Sequence, residues 1–511
     1  MLENTSQLSS LPKSPGGFVY KRHKPEESDL YKIIEQNLPI FQSHLSNADI
    51  SLPAFVHNEF RSYLRCGLLE HGFLRVKCSS CRLEHLVAFS CKLRGFCPSC
   101  GARRMVETSA HLIDHVIPAA PVRQWVLSFP WPLRLLFARQ PNTLSRCLAV
   151  TIRVIETDLI HRAGLTRASG ARSGIVTLVQ RFGSALNLNI HLHMVALDGV
   201  YTVSKSGKAK FHRVKAPNQT ELQTLLNRVI QRVVRRLEKE GLLIPDPEQP
   251  WLDLDFHEPL DSLSTASIRY RIAIGPHSGS RTLTLHDPSF IRTDKPIKSF
   301  TADRGGFSLN AAVSCQPYQR DRLERLCRYV TRPAICLDRL TVRVDGKIQY
   351  ELKNPFRNGT THILFSPVDF LSKLAALVPR PRHNLIRYHG VFARGCHQPN
   401  AKLRKLIIPK SNKSVRGKEN SKSDKTSEFE EITSQNELLA PLSWAQRLKR
   451  VFNIDITLCP LCGGTMRIIS DITDPDLIQK ILDHLAAQPP PIKPATADSS
   501  LSLNQQSPIT R

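Results

Sequence analysis

The chain has 511 residues, and its 71 Lys and Arg residues outnumber 44 Asp and Glu residues, which gives a net charge of +27. A charge of this sign and size favours a polyanionic partner, of which nucleic acid is the usual one. No apolar run is long enough to span a membrane, and residues 1–10 lack the pattern of a secretion signal. We therefore expect an intracellular protein with reduced thiols and no membrane partner.

Changes in composition along the chain predict a multidomain organisation. The predicted segments are a Ser-, Pro- and Lys-rich tail at 1–28, a cysteine-rich domain at 29–118, a mixed strand-and-helix domain at 119–395, a linker at 396–439, a small module at 440–488 and a second tail at 489–511. The linker is inferred from its polar and charged residues, which show no periodicity. Strand and helix patterns that alternate with short hairpins predict an α+β fold.

Two cysteine pairs form the most specific motif of the chain. Cys78-x-x-Cys81 and Cys97-x-x-Cys100 are separated by fifteen residues. Four thiolates at this spacing can close a tetrahedral Zn²⁺ site, which would be structural because no open coordination position remains. We therefore predict a zinc-ribbon-like domain that holds one zinc ion with these four ligands. Four unrelated buried cysteines are the alternative.

The residues around the two pairs add strands, further ligands and positive charge. Residues 73–77 and 83–89 have the pattern of two paired strands. Residues that could form a second metal site or replace one ligand are Cys66, His71, His85 and Cys91. Arg103 and Arg104 fit contacts with DNA phosphates, although a solvated charged face is the default for either of them.

The sequence NLNIHLHMVALDGVY, which begins at residue 187, places two histidines in an apolar strand. Alternate residues of a strand share one face, so His191 and His193 project together. Two adjacent imidazoles can hold one metal ion or one phosphate; alternatively, neighbouring hydrogen bonds satisfy both. Asp198 and Gly199 predict a tight turn, after which residues 200–203 pair back onto the histidine strand.

Two amphipathic helices are predicted further along. The first covers residues 220–241 and would end at Gly241. Its apolar stripe consists of Leu222, Leu225, Leu226, Val229, Val233 and Leu237. The second begins at residue 320 and stops before Pro333. Its buried face would consist of Leu323, Leu326, Cys327 and Val330.

The second helix carries a tyrosine among arginines. Tyr329 borders the apolar stripe, and Arg322, Arg325 and Arg332 lie three, four or seven residues away, so they share its side of the helix. Such a tyrosine could attack a phosphate, because the arginines stabilise the developing charge and favour the phenolate. A tyrosine at the edge of the core with a solvated hydroxyl is the alternative.

A second, shorter cysteine motif stands near the end of the chain. Cys459 and Cys462 precede two glycines, as in a zinc knuckle, but a complete site needs two more ligands. The nearest residues of suitable type in the sequence are Cys396, His397 and His484. A metal-free turn is the alternative.

Several blocks of sequence occur together in one order. They are FSCKLRGFCPSCGARRM at 89–105, IVTLVQRFGSALNLNIHLHMVALDGVY at 175–201, LERLCRYVTRP at 323–333, GTTHILFSPVDFLSKLAALVPRPR at 359–382, LIRYHGV at 385–391 and WAQRLKRVFNIDITLCPLCGGTMRII at 444–469. With these blocks the chain resembles the insertion sequence 91 family of rolling-circle transposases. That family belongs to the wider group of His-hydrophobic-His (HUH) nucleases.

The resemblance implies cleavage and rejoining of the single-stranded DNA ends of a mobile element. By this likeness His191 and His193 bind Mg²⁺ or Mn²⁺, with Gln180 as the candidate third ligand. Tyr329 would form a 5′-phosphotyrosine and free a 3′-OH. The two-tyrosine form of the group has a second tyrosine where this chain has Pro333. The second step would then fall to a second protomer, in a homodimer, or to the free 3′-OH.

The resemblance also implies a fold and a location. We expect an HUH nuclease domain in which an antiparallel sheet is flanked by helices, the histidine strand is central and the tyrosine helix packs beside it. The protein would be bacterial, cytoplasmic and associated with the nucleoid. A plasmid-type replication initiator or relaxase that uses the same residues is the first alternative. A zinc-dependent DNA-binding regulator without catalysis is the second.

Overall fold

The computed structural model describes residues 24–244, 251–252, 258–291, 300–393, 400–408, 458–459 and 462–487. Most of the predicted N-terminal tail, the polar stretch at 409–435 and the predicted tail at 489–511 lie outside the described residues. The predicted linker at 396–439 includes a folded segment. Residues 400–407 form a helix, and its Leu403 is buried against the core, so this segment belongs to the folded domain.

The helices and strands agree with the predicted α+β class. The α-helices are α1 (Asp29–Asn47), α2 (Ala54–Leu64), α3 (Pro98–His115), α4 (Trp131–Arg139), α5 (Pro141–Arg162), α6 (Gln219–Lys239), α7 (Asp261–Ile268), α8 (Arg320–Thr331), α9 (Pro367–Leu377), α10 (Asn400–Ile407) and α11 (Pro475–Ala487). The first nine strands are β1 (Phe73–Cys78), β2 (Glu84–Ala88), β3 (Val122–Ser128), β4 (Gly174–Phe182), β5 (Leu188–Leu197), β6 (Gly199–Val203), β7 (Ala209–Arg213), β8 (Leu243–Ile244) and β9 (Trp251–Leu252). The later strands are β10 (Leu283–Ile291), β11 (Thr301–Arg304), β12 (Phe307–Asn310), β13 (Ser314–Cys315), β14 (Leu340–Val342), β15 (Ile348–Glu351), β16 (Asn358–Phe365), β17 (Ile386–Gly390) and β18 (Met466–Ile472).

The largest sheet positions the histidine strand at its centre. Its strand order is β11-β12-β3-β5-β4-β17, with β13 also paired to β3, and the pairs are antiparallel. Even-numbered residues of β5, such as Leu192 and Met194, pack in a core with α5 and α6. Odd-numbered residues, such as Val195 and Leu197, pack in a core with α3 and α8. The two histidines therefore face the side of the tyrosine helix, since side chains alternate along a strand.

Both predicted helices are confirmed. Helix α6 begins with a capping box, in which Asn218 accepts from the Glu221 amide and Glu221 accepts from the Asn218 amide, and its predicted apolar stripe is buried. Gly241 lies just past its end with a φ of +68°, a conformation that favours glycine. Helix α8 ends at Thr331, close to the predicted stop, and its four predicted apolar residues are buried.

The predicted hairpin after the histidine strand is wrong. Strand β6 does not pair back onto β5; it pairs with β7, with Gly199 opposite Arg213. Both edges of β5 are already occupied by β3 and β4, so no edge is open to a further strand. The Asp198 carboxylate accepts two hydrogen bonds from the buried Arg123 guanidinium at 3.0 and 2.9 Å, which holds the chain at the point where it leaves the sheet.

The C-terminal segment does not form a separate module in the described part of the chain. Strand β18 pairs antiparallel with β1, which also pairs with β2, so the N-terminal hairpin gains its third strand from the far end of the sequence. Phe73 of β1, Ile472 of β18 and Ile478 of α11 share a small apolar core. The predicted module at 440–488 is thus joined to the predicted zinc domain.

A second antiparallel sheet, ordered β10-β16-β15-β14, lies beside a group of helices. Its buried residues, such as Phe365 and Ile363, share one apolar core with residues of α1, α2 and α9. Since the same core includes Cys97 and Cys100 at the start of α3, it connects the cysteine-rich region to this part of the fold.

Candidate active site and metal centres

The histidine pair lies in the middle of the main sheet. His191 and His193 are 9% and 5% exposed, and their Nε2 atoms lie 3.1 Å apart. Gln180 stands opposite His191 in the register of β4 and β5, and its Oε1 lies 3.3 Å from His193 Nε2. Three atoms that can ligate a cation therefore converge from two neighbouring strands.

The Nδ1 atoms of the two histidines also have polar partners. His191 Nδ1 donates to the carbonyl oxygen of Asn189 at 2.9 Å, which leaves its Nε2 lone pair free. Gln124 Nε2, on β3, lies 2.7 Å from His193 Nδ1, and in this orientation the amide donates to the ring. A rotation of that amide by 180° exchanges its nitrogen for its oxygen, and His193 would then carry its proton on Nδ1 and offer the Nε2 lone pair to a metal. Sequence reasoning missed Gln124 and Asn189, because only the register of β3 brings Gln124 to His193 and because Asn189, on β5, contributes only its main-chain carbonyl.

Burial keeps both imidazoles neutral. Burial, reinforced by the nearby Arg332, lowers the pKa of His191 to about 4. Burial, followed by His191 and Arg332, lowers the pKa of His193 to about 3. Neutral imidazole is the form that ligates metals, so the pair is ready to bind one at neutral pH.

Tyr329 lies next to this pair. It stands in the last turn of α8, and its ring contacts the ring of His193 edge to face, with centroids 6.4 Å apart and an interplanar angle of 89°. The side chain is 41% exposed, so a strand of DNA could reach the phenol. Gln180 Nε2 also donates to the carbonyl of Val330 at 3.4 Å, which ties the end of α8 to β4.

Two cations face the Tyr329 ring. The Arg332 guanidinium lies 4.2 Å from the ring centroid, and Lys353 Nζ lies 5.0 Å from it. Lys353 comes from the loop after β15, and no pattern in the sequence pointed to it. Cations at these positions can stabilise negative charge that develops on a phosphate at the phenol.

The other predicted phosphate contacts are distributed elsewhere. Arg322 and Arg325 are exposed on α8, on the side of Cys315. Arg103 forms an ion pair with Glu107 at 3.2 Å. Arg104 donates to the carbonyl oxygens of Lys92 and Leu93, and so holds the loop before α3. Of the arginines predicted to contact phosphate, Arg332 is the one that contacts the Tyr329 ring.

The predicted single four-cysteine site is replaced by two clusters. In the described residues the first, here the compact cluster, consists of Cys66, Cys91, Cys97 and Cys100, and the second, here the split cluster, consists of Cys78, Cys81, Cys459 and Cys462. The predicted pairs lie at opposite ends of the β1–β2 hairpin: Cys78 and Cys81 at its turn, Cys97 and Cys100 beyond its open end. Five or six residues at about 3.3 Å each keep them apart, so one ion cannot bridge them.

Both clusters have the dimensions of a zinc site. Sulfur atoms around a tetrahedral zinc with bonds of about 2.3 Å lie roughly 3.8 Å apart. In the compact cluster Cys66 Sγ lies 3.7 Å from Cys97 Sγ and from Cys100 Sγ. In the split cluster Cys78 Sγ lies 3.5 Å from Cys462 Sγ, and Cys81 Sγ lies 3.4 Å from Cys459 Sγ. Hydrogen bonds from Cys66, Cys91 and Cys97 hold the pKa of Cys100 far below its ordinary value, which favours the thiolate that binds zinc.

The residues that complete each cysteine cluster differ in part from the predicted ligands. Cys66 and Cys91, which were alternatives for a second site, belong to the compact cluster, whereas His71 and His85 belong to neither cluster. The missing ligands of Cys459 and Cys462 come from the N-terminal hairpin instead of His484, while Cys396 and His397 lie outside the described residues.

Helix α3 connects the compact cluster to the tyrosine helix. Cys97 is its N-cap residue, and the helix packs against α8. A Cβ atom added at Gly101 would lie 2.7 Å from Cβ of Pro333, the residue that stops the tyrosine helix, so only glycine allows this approach. The cluster thereby fixes a helix on which the position of Tyr329 depends.

Comparisons with known proteins agree with these features. Residues 33–129 match the family described as a transposase zinc-binding domain, of the insertion sequence 91 type, and residues 174–401 match the family described as "putative transposase". The first match covers the compact cluster, and the second covers the histidine pair and Tyr329. No curated protein and no solved structure matched the chain. Among the described helices, none is long and apolar enough to cross a membrane.

Proposed function

Since the chain belongs to the insertion sequence 91 family of transposases, we propose that it cleaves and rejoins single-stranded DNA at the ends of a mobile element through a 5′-phosphotyrosine at Tyr329. The observation that carries this proposal is the contact between the Tyr329 ring and the His193 ring. A partly exposed phenol beside two buried, neutral imidazoles and two cations combines a nucleophile with groups that can bind a phosphate.

The chemistry balances without an energy source. The Tyr329 oxygen attacks the scissile phosphorus and loses its proton to solvent, the bond between phosphorus and the 3′ oxygen breaks, and that oxygen gains a proton to become a 3′-OH. The ester energy remains in the phosphotyrosine, so attack by a 3′-OH reverses the step. The sequence has no GxxxxGK[ST] motif, which agrees with a reaction that needs no ATP.

His191, His193 and Gln180 would hold a divalent cation. His193 Nε2 lies 3.1 Å from His191 Nε2 and 3.3 Å from Gln180 Oε1 in a buried position, which suits one shared ion. Two imidazoles with amide and phosphate oxygens suit Mn²⁺ well and Mg²⁺ acceptably. Such an ion would polarise the scissile phosphate. Arg332 and Lys353 would bind the phosphate oxygens from the side of the ring.

The zinc-binding match and the two clusters support structural Zn²⁺. Four thiolates leave no open coordination position, so these ions stabilise the fold and take no part in the chemistry. We propose that the zinc domain contributes to DNA binding, since its residues 75–104 carry seven Lys and Arg against one Glu and since it is joined to the catalytic sheet through α3.

The direct test uses single-stranded DNA that carries the gene with its flanking sequences. We expect the wild-type protein with Mn²⁺ to form a covalent protein–DNA adduct and Tyr329→Phe to form none. The DNA affinity of Tyr329→Phe should stay within about 2-fold of the wild-type value, because the basic residues of the protein supply most of the affinity and the variant loses only one hydroxyl. Tyr318→Phe is the matched control, because Tyr318 is 82% exposed in the turn before α8. DNA binding without any adduct in the wild-type protein would instead favour a non-catalytic regulator.

A further inference from the structure

A cavity of about 260 Å³ lies between helix α3 of the zinc domain and the edge of the catalytic sheet. Strand β4, the end of α8 and β17 form its other walls. Gln180 and Arg332, which belong to the candidate active site, both line it. The cavity therefore continues directly from the position at which the scissile phosphate would lie.

The cavity is lined by cations without acids. Its guanidinium groups are those of Arg94, Arg104, Arg181 and Arg332, and no Asp or Glu lines it. In the described part of the chain none of the four arginines forms an ion pair. Their donors go to main-chain oxygens: Arg94 donates to His383 and Arg380, and Arg181 donates to Ala376 and Leu377.

These half-buried guanidinium groups favour an anion in the cavity. A buried charge is costly unless it is paired, and proteins normally pair it with a carboxylate or a ligand. Glu59, which lies behind Gly95, faces Arg94 and Arg104 and offsets part of their charge. Arg181 and Arg332 donate to carbonyl oxygens, which hold these groups in place without neutralising them. The guanidinium plane is well matched to phosphate.

The remaining walls are apolar. Leu385, just before β17, lines the cavity, Leu93 lines it from the zinc domain, and the Phe182 ring centroid lies 5.5 Å from the Arg332 guanidinium. Apolar and aromatic side chains bind the faces of nucleobases by stacking. The cavity is slightly smaller than typical ligand pockets, which span about 300–1,000 Å³, and so suits a unit of one nucleotide at most.

We propose that this cavity binds one nucleotide of the single-stranded substrate next to the scissile phosphate, with its phosphate toward the arginines and its base against the apolar wall. The inference rests on the proposed function, because it takes single-stranded DNA as the substrate. It gives the zinc domain a role in substrate selection, since Leu93, Arg94 and Arg104 come from that domain. A base drawn out of the strand into a pocket can be read by shape and hydrogen bonds.

The test measures binding of a fluorescent single-stranded oligonucleotide from the flanking sequence, in the Tyr329→Phe background so that no cleavage occurs. Thr108→Phe, on α3, fills the cavity without a change of charge, and we expect an affinity loss of about 10-fold or more, as for the loss of one stacked base. Arg181→Met should reduce the slope of log affinity against log salt by about 0.7. Arg232→Met, on the exposed face of α6, is the matched control in the same background and should leave the affinity within 2-fold.

A cross-linking measurement on the unmodified cavity covers the case in which a variant does not fold. An oligonucleotide with 5-iododeoxyuridine at successive positions should cross-link to Phe182 from one position beside the cleavage site. Cross-links confined to residues outside the cavity would overturn the inference, and so would a folded Thr108→Phe protein with wild-type affinity. Free deoxynucleoside monophosphate should compete only weakly if the cavity reads a nucleotide within a strand; competition as strong as that of the oligonucleotide would identify a mononucleotide site and overturn the proposal.

Failure of the inference and failure of the proposed function are separable. A wild-type adduct together with unchanged binding by Thr108→Phe overturns the nucleotide site alone. Cavity-dependent binding and cross-linking without any wild-type adduct supports the nucleotide site and overturns the tyrosine chemistry.

Discussion

The cysteine clusters and the histidine site are built on opposite principles. Each cluster presents four thiols and closes around its ion, so nothing else can bind there. The histidine site presents two imidazoles and one amide from β4 and β5, and its open side faces a half-exposed tyrosine. Ligand number and openness, more than residue type, distinguish the cysteine clusters, as structural metal sites, from the proposed catalytic site at the histidines.

The two clusters also differ from each other. The ligands of the compact cluster lie within residues 66–100, whereas those of the split cluster come from residues 78–81 and from residues 459–462. Loss of the compact cluster should therefore unfold the region that supports α3, while loss of the split cluster should release only the C-terminal strand β18 from β1.

The largest effect is expected from the compact cluster. Cys97→Ser should remove one zinc per chain and the cooperative melting of the zinc domain, because structural zinc contributes roughly 10 kcal/mol or more in small domains. Cys462→Ser should also remove one of two zinc ions, but increase hydrogen exchange mainly in residues 466–472. Cys336→Ser, outside both clusters, is the control. Equal global unfolding by both cluster variants would contradict the distinction.

The next effect distinguishes the proposed catalytic site from the cysteine clusters. His191→Ala should lower cleavage roughly 1,000-fold, since a Lewis-acid metal supplies several kcal/mol to the transition state. Its melting temperature should change little, and added Mn²⁺ should restore part of the activity by mass action. The exposed His277→Ala serves as the control. A large drop in melting temperature with cleavage intact would make the histidine pair structural.

A buried carboxyl near the compact cluster predicts a pH effect. Burial raises the pKa of Glu59 from 4.5 to about 7, although the Gly95 amide donates to it. The folded state then holds a proton that the unfolded state releases, so the stabilisation present below pH 4.5 is lost as pH rises to about 7. Glu59→Gln should be more stable than the wild-type protein by up to about 3 kcal/mol at pH 8 and equal to it near pH 4.5. Denaturant unfolding at several pH values measures this difference, and parallel pH profiles of the two proteins would exclude it.

The smallest effect concerns the amide that orients a ligand. Gln124→Leu should raise the Mn²⁺ concentration for half-maximal cleavage by about 10-fold, because His193 loses the partner that fixes its tautomer. Gln124→Glu should restore tight binding, since a carboxylate accepts from Nδ1. Cleavage at a series of Mn²⁺ concentrations gives both values. An unchanged Mn²⁺ requirement in the leucine variant would remove Gln124 from the site.

Sequence patterns predicted what depends on local periodicity. The shared face of His191 and His193 follows from strand alternation, and the buried stripe of α8 follows from helical spacing. The patterns failed where pairing is decided far away along the chain. The cluster partners Cys459 and Cys462 lie almost 400 residues after Cys78 in the sequence. Strand β6 does not pair with β5, because β3 and β4 occupy both edges of β5. Gln124 lacked any local signal, since only the register of β3 brings it to His193.

The most direct test of the central claim uses an oligonucleotide in which sulfur replaces the 3′ oxygen at the cleavage site. The released thiol is a poor nucleophile for rejoining at phosphorus, so the covalent intermediate should accumulate and can be located by mass spectrometry after proteolysis. We predict a 5′-phosphate ester on Tyr329, with formation dependent on His191 and His193. An ester on Tyr318 or another residue, or a linkage to the 3′ end of the DNA, would contradict the proposed mechanism.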